Sequence, residues 1–300
     1  MATIPYDEFG LFHENAEEAG LPFDGPPQVV RREVATDDGR LISSLRWGAD
    51  DPGLVLLHGG AQNAHTYDTV ALALDTDLLA IDLPGHGHSD GGREGALDAG
   101  GMAADVAIAM EALAAPPVTL VGMSLGGMVA INVAASRPDL VSRLMLVDVT
   151  PGVDGSKAAH ITAFIDGPPG FTSFDELLAR TIEFNPTRSE ASLRRGILHN
   201  AVQLDDGSWV WRWARHRVAP GAVRQDHAQM WDVLGSLEMP VMLVRGMSLG
   251  SVVDDEDEAM LLSRLPGARI ERVEGAGHSV QGDQPLVLAG LIAGFSAPST

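Results

Sequence analysis

Two serines occupy the same five-residue setting in this chain. "GMSLG" occurs at 122–126, within VTLVGMSLGGMVA, and again at 246–250, within VMLVRGMSLGSVVDDED. Each copy ends an apolar, strand-like run and fits Gly-x-Ser-x-Gly, a spacing that sets a serine on a sharp strand-to-helix turn where its hydroxyl can be a nucleophile. Serine attack needs a histidine to take the proton and a carboxylate to orient that histidine and stabilise its cation; the chemistry is covalent acyl transfer. The residues behind each copy distinguish the two. Behind Ser124 come Gly126, Gly127 and MVAINVAASRPD, a helix whose small early residues let it cross close to the strand. Behind Ser248 come Ser251 and then β-branched Val252 and Val253 where a helix would begin, with helix-starting acids only from Asp254. Ser124 is therefore the expected nucleophile and Ser248 part of a turn before a delayed helix.

The best-placed base is His278 in VEGAGHSVQGDQP, beyond the final apolar run and before the final helix, with flanking glycines that let the loop place the ring. His13, His65, His160, His199, His216 and His227 read as surface or lid-packing residues, and His86 and His88 in PGHGHSD as braces of a turn that passes the site. The histidines lack ligand spacing along the chain, and no glycine-rich phosphate loop with a following lysine is found, so neither a metal nor an organic cofactor is expected.

These residues need a frame. Apolar runs GLVLLH (53–58), LLAID (78–82), PVTLVG (117–122), RLMLVD (143–148), PVMLVRG (240–246) and ARIERV (268–273) alternate with helical patterns at 98–114, 127–136, 255–265 and 284–295. Near-continuous apolar strands separated by helices predict an α/β fold with a parallel sheet buried on both faces. VVRREVATDDGRLISSLRWG (29–48) reads as a hairpin around DDG, an antiparallel start to that sheet. From 151 to 235 the rhythm stops, and short helices plus WVWRW, a strand with Trp209, Trp211 and Trp213 on one face, predict an insertion. The division is an N-terminal arm 1–27, a core of 28–150 and 236–300, and a lid 151–235. The role of the arm is not legible.

Composition narrows the function. A 300-residue chain with 45% hydrophobic residues can bury a sizeable core, while a formal charge of −21 argues against nucleic acid and anionic membranes as partners. The absence of cysteine removes disulfides and thiol catalysis and fits a cytoplasmic chain. The first residues, MATIPYDEFGLFHENAEEAG, do not read as a secretory signal, and no stretch approaches the ~20 apolar residues of a membrane span. Oligomeric state is not readable.

Four motifs together carry a resemblance: LLHGGAQNAHTY (56–67), AIDLPGHGHSD (80–90), VGMSLGGMVA (121–130) and GAGHSVQGDQP (275–285). Across 29–295, apart from the insertion, the chain resembles the α/β-hydrolases, in which nucleophile, acid and histidine follow in that chain order. The resemblance implies a mostly parallel eight-stranded sheet with helices on both faces and a mainly helical lid. It implies an oxyanion hole made by the backbone N–H groups of Leu125 and Gly60. Its usual acid position, 28 residues before His278, falls on Gly250, which has no carboxylate. Two candidates remain: Asp148, ending RLMLVD, and the cluster Asp254, Asp255, Glu256 and Asp257. Asp148 is preferred and Asp254 is the alternative.

The implied reaction is hydrolysis of a small or medium carboxylic ester, with C–C bond cleavage, enol-lactone hydrolysis, or non-catalytic ligand binding on the same fold as rival readings. The expected partner is a small-molecule ester. Its hydrocarbon parts can meet Phe171, Phe174, Trp209, Trp211 or Trp213. Arg188, Arg194, Arg195, Arg212, Arg215 and Arg217 in the insertion suggest a substrate bearing a free carboxylate, such as a monoester.

Overall fold

The computed structural model describes residues 4–92, 98–153, 155–213 and 227–297. In chain order, α1 (Phe12–Ala19) precedes the hairpin of β1 (Val29–Ala35) and β2 (Leu41–Trp47). Then come β3 (Leu54–Leu57), a 3-10 turn (Ala64–Tyr67) running into α2 (Asp68–Leu74), β4 (Leu78–Ile81), α3 (Ala99–Leu113), β5 (Val118–Met123), α4 (Leu125–Ser136) and β6 (Val141–Val147). The insertion holds α5 (Ala159–Ile165), β7 (Gly170–Phe171), α6 (Phe174–Phe184), α7 (Glu190–Asn200), β8 (Ala201–Gln203), β9 (Trp209–Trp211) and α8 (His227–Gly235). The chain then returns through β10 (Val241–Gly246), α9 (Asp255–Arg264), β11 (Arg269–Val273), α10 (Val280–Asp283) and α11 (Pro285–Ser296).

Eight strands form one sheet in the order β1-β2-β4-β3-β5-β6-β10-β11. β1, β2 and β4 pair antiparallel, and every pair from β4 to β11 is parallel. Alternation along the strands sends neighbours to opposite faces. Leu57, Ile81, Leu120, Leu144 and Leu243 pack on one side with residues of α3, α4, α8 and α9. Leu56, Ala80, Val121, Met145 and Met242 pack on the other with α1, α2 and α11. Both faces being covered is why the strands read as continuous apolar runs, and each fully buried leucine contributes roughly 1.5–3 kcal/mol. No described helix is long and apolar enough to cross a membrane.

This order positions the chemistry. β4 and β5 lie on opposite sides of β3, so the chain reverses its direction of winding there. In parallel sheets a crevice opens at the carboxyl ends of the strands at such a point. Gly60 follows β3, Ser124 follows β5, Asp148 follows β6 and His278 follows β11, all at that one edge.

The strand expected at WVWRW is β9, which β7 and β8 flank in a small antiparallel sheet within the mainly helical insertion. The N-terminal segment is a docked element: Phe12 and Ala16 of α1 are buried, Phe12 with its ring 4.9 Å from Trp47. Its polar appearance comes from α1 burying one face only.

Candidate active site

Ser124 joins β5 to α4 with φ 50° and ψ −119°, a backbone conformation that costs a non-glycine residue about 1–3 kcal/mol. Close packing around it sustains the turn. A Cβ on Gly122 would lie 2.4 Å from the Gly126 carbonyl oxygen, and one on Gly126 would lie 2.4 Å from that of Leu57. The missing side chains let helix, nucleophile strand and β3 converge. The first turn of α4 closes by donation from the Gly127 N–H to the Ser124 carbonyl (2.9 Å), leaving Ser124 half-buried at the helix N-terminus. A Cβ on Gly60 would lie 4.0 Å from Leu125 Cδ2, so these two residues are neighbours. Among the described residues neither the Gly60 nor the Leu125 N–H donates a hydrogen bond.

Asp148, at the end of β6, is fully buried and has φ 46°. Its Oδ1 accepts from the Gly246 N–H (3.0 Å) and the Ser251 hydroxyl (2.6 Å); Oδ2 accepts from the Val252 N–H (3.0 Å) and lies 2.9 Å from His278 Nδ1. Three of these four partners come from the end of β10 and the loop behind it. The second GMSLG thus begins a cradle for a carboxylate supplied by the neighbouring strand, at the place where the resemblance puts the acid itself. Ser248 is exposed, and its N–H donates to the Ala276 carbonyl (2.8 Å). Gly246 must be glycine, since a Cβ there would lie 2.2 Å from the Gly277 oxygen and push away the loop that carries His278.

Asp254 is engaged elsewhere. It caps α9, accepting from the Asp257 N–H (3.0 Å) while Asp257 accepts from the Asp254 N–H (3.1 Å), and it pairs with Lys157 at 2.7 Å. The hydrogen bond from Lys157 holds its carboxyl below the usual range. The structure brings Asp148, not Asp254, to His278.

The turn histidines have structural partners. His58 is buried, and burial lowers its pKa, so it is neutral: Nε2 accepts from the Leu83 N–H (2.9 Å) and Nδ1 donates to the Gly59 carbonyl (2.7 Å). His86 meets the His58 ring edge-on at 5.2 Å. His88, pushed down to about 4 by burial and by the charges of Arg31 and Arg212, is neutral too. Its backbone N–H donates to Oδ2 of Asp82 (3.0 Å), which is buried and paired with Arg31 at 2.8 Å.

In the insertion, Phe171, Trp209, Trp211 and Trp213 are all at most 5% exposed and pack with Phe174, Leu177, Ile197 and Leu198. They form the hydrophobic core of the insertion, because β9 turns Trp209 and Trp211 to its inner face. The arginines diverge. Arg195 pairs with Glu14 (3.6 Å) and Glu18, Arg188 donates to Ser192 (2.7 Å), and Arg194 is exposed. Arg212 is half-buried with no ion pair among the described residues, and Arg215, Arg217 and His216 lie outside them. Ile165 of α5 was not singled out in the sequence, yet its Cδ1 comes within 3.8 Å of where a Cβ on Gly60 would stand.

His65 and His199, read from sequence as surface or packing residues, are buried and stacked, with centroids 3.8 Å apart and planes 14° apart. His65 Nδ1 lies 2.9 Å from Asp68 and Nε2 3.2 Å from Glu8; His199 Nδ1 lies 2.8 Å from the Tyr6 hydroxyl. Ligand spacing absent along the chain thus arises in space, with ligand atoms of His65, Asp68 and His199 within 4.8 Å of one another. Imidazole lone pairs lie in the ring plane, so in two near-parallel rings they run side by side, and a shared ion would require one ring to turn.

In the cluster as it stands, both ring nitrogens of His65 face carboxylates, an arrangement that favours the protonated ring. Burial opposes charge on His65, but Asp68 and Glu8 outweigh it and raise its pKa from 6.5 to about 9. A raised histidine contributes stability that is complete below its unfolded value and is lost as pH climbs through its folded value. The melting temperature is therefore expected to fall between pH 6.5 and about 9, a loss on the order of 3 kcal/mol. In His65→Gln this pH-dependent limb is expected to flatten; an unchanged slope in a thermal-denaturation series would show that the proton lies elsewhere.

Known proteins share this arrangement of strands and turns. A family model described as the alpha/beta hydrolase family matches residues 54–291. Esterase Rv0045c of Mycobacterium tuberculosis is 43% identical over 297 residues, spanning 96% of this chain and 95% of that one. A refined structure of that esterase superposes with a TM-score of 0.84 at 42% identity, covering 97% of this chain and 99% of the other. The sn-1-specific diacylglycerol lipase ABHD11 of Xenopus laevis is 28% identical, over 81% of this chain and 79% of its own. A fold with this strand order, this turn after β5 and these matches identifies the chain as a member of the alpha/beta hydrolase family.

Proposed function

We propose that this chain hydrolyses carboxylic esters of small or medium substrates through an acyl-enzyme on Ser124. The observation that carries the mechanism is the 2.9 Å contact between His278 Nδ1 and a fully buried Asp148, made at the sheet edge where Ser124 sits on its strained turn. With Nδ1 on the carboxylate, Nε2 is the nitrogen that takes the Ser124 proton as Oγ attacks the carbonyl carbon. The new oxyanion is held by the N–H groups of Gly60 and Leu125, each such donor being worth about 3–4 kcal/mol in the transition state. Collapse of the tetrahedral intermediate expels the alcohol with the proton from His278. Water, deprotonated by the same ring, then attacks the acyl-enzyme and restores Ser124.

Ester chemistry is favoured over C–C cleavage by the relatives, and lactone opening is the same acyl–oxygen cleavage of a cyclic ester. The 43% identical protein is named an esterase, and the 28% identical one a diacylglycerol lipase. Both names describe cleavage of an acyl–oxygen bond by water. Substrate size follows from the insertion between β6 and β10, whose α5 brings Ile165 over Gly60 and limits what reaches the nucleophile. A chain without cysteine suits a reducing compartment such as the cytoplasm.

The test is turnover of p-nitrophenyl acetate and butyrate, with intact-mass analysis after exposure to an alkyl fluorophosphonate. The expected result is ester turnover and one covalent adduct, mapped to Ser124. A folded protein that forms no adduct and leaves both esters intact, while cleaving a vinylogous diketone, would replace ester hydrolysis by C–C bond cleavage.

A further inference from the structure

The loop after β3, which carries Gly60, is hydrogen-bonded at two points to the C-terminal end of α7 in the insertion. The Asn200 side-chain amide donates to the Ala61 carbonyl at 2.6 Å. Asn63, only 5% exposed, donates in return to the His199 carbonyl at 2.9 Å and faces Asn200 Oδ1 at 3.3 Å. Between these anchors Ala61 is held at φ 61°, where a residue with a Cβ is disfavoured by about 1–2 kcal/mol. On its other side Gly60 is bounded by Gly59, whose N–H donates to Gln62 Oε1 at 3.1 Å. The Ala61 carbonyl shares its peptide plane with the Gln62 N–H, which donates to the Gly59 carbonyl at 3.3 Å. That carbonyl, held also by His58 Nδ1 at 2.7 Å, shares its plane with the Gly60 N–H, so the tie from Asn200 reaches that N–H through Gln62. Released from Asn200, Ala61 would relax toward negative φ and rotate the chain that aims the Gly60 N–H.

We propose that Asn200 is a positioning residue for the oxyanion hole: by holding Ala61 in the left-handed region from the insertion, it fixes the Gly60 N–H, so the hole is complete only while α7 is seated on the core. The inference rests on the reading of Gly60 as an oxyanion donor. It gives the insertion a part in the chemical step as well as in substrate selection. Asn200 touches neither nucleophile nor base and acts through backbone geometry.

The experiment compares wild type, Asn200→Ala, Asn200→Asp and the double variant Ala61→Gly/Asn200→Ala on p-nitrophenyl butyrate. It also measures inhibition by an alkyl trifluoromethyl ketone, whose hemiketal oxyanion occupies the hole. Misplacing one donor is expected to lower kcat about 10–100-fold with KM within about threefold, and to weaken the ketone by a similar factor. Asn200→Asp is nearly isosteric and lacks the N–H donor, so it reports the same loss if the alanine variant does not fold. Adding Ala61→Gly should recover part of kcat and of ketone affinity, because glycine takes positive φ without steric cost. Unchanged kcat and ketone affinity, or a change confined to KM, would overturn the proposal. Ser124→Ala, run alongside, separates the two levels. Turnover retained there means that the serine mechanism itself fails, whereas an inactive Ser124→Ala with a fully active Asn200→Ala removes only the positioning role.

Discussion

Ser124→Ala is expected to lower kcat for p-nitrophenyl butyrate by about 10⁴-fold or more, while Ser248→Ala stays within about twofold of the wild type. The contrast is sharp because the two serines share identical neighbours, GM before and LG after. What differs is position in the sheet. β5 is flanked by β3 and β6, and the strained turn after it points Ser124 at the edge that also carries Gly60 and His278. The turn after β10 leaves Ser248 exposed, with Leu249 beside it wholly in solvent. In the proposed mechanism the Ser124 hydroxyl oxygen is the atom that becomes acylated, so its removal is expected to act on kcat and to abolish the fluorophosphonate adduct. Comparable losses in both variants would show that the second copy has a chemical part, and a near-normal rate in Ser124→Ala would refute the nucleophile.

Asp148→Asn is expected to lower kcat about 10³–10⁴-fold, because an amide can neither stabilise an imidazolium nor hold the tautomer that leaves Nε2 free to accept a proton. A second effect arises from burial. The carboxylate faces four donors at 2.6–3.0 Å: the N–H groups of Gly246 and Val252, the Ser251 hydroxyl and His278 Nδ1. An asparagine offers one oxygen, and its NH₂ must point at donors on the other side. Each buried donor left without an acceptor costs about 1–3 kcal/mol, so a lower melting temperature should accompany the lost activity. Asp254→Asn supplies the contrast. It loosens the cap of α9 and the pair with Lys157, a loss of about 0.5–2 kcal/mol, with kcat within about threefold of wild type. Full activity in Asp148→Asn together with a large loss in Asp254→Asn would exchange the two assignments.

Local chemistry made much of this protein legible in one dimension. Continuous apolar runs report strands covered on both faces, and six of them are the parallel strands found in the sheet. Glycines at 122, 126 and 127 around Ser124 report that backbones converge there, since any Cβ would collide. The DDG hairpin and the glycines flanking His278 are legible for the same reason: turn geometry is determined within a few residues.

Other features depended on what the folded chain placed alongside. From sequence Asp148 and Asp254 were both acids near strand ends; the difference lies in donors 98 to 104 residues away that converge on one and in a lysine and a helix terminus that engage the other. The stacked histidines are 134 residues apart, and Asn200 meets Ala61 across 139, distances over which no periodicity carries information. The tryptophans showed that they share a face, but not whether that face meets substrate or the interior of the insertion. Side-chain spacing along a strand or turn is a local property that a sequence determines by itself. Which buried polar group finds a partner is settled only when separate elements pack, because the energy of a buried charge is set by the atoms brought around it.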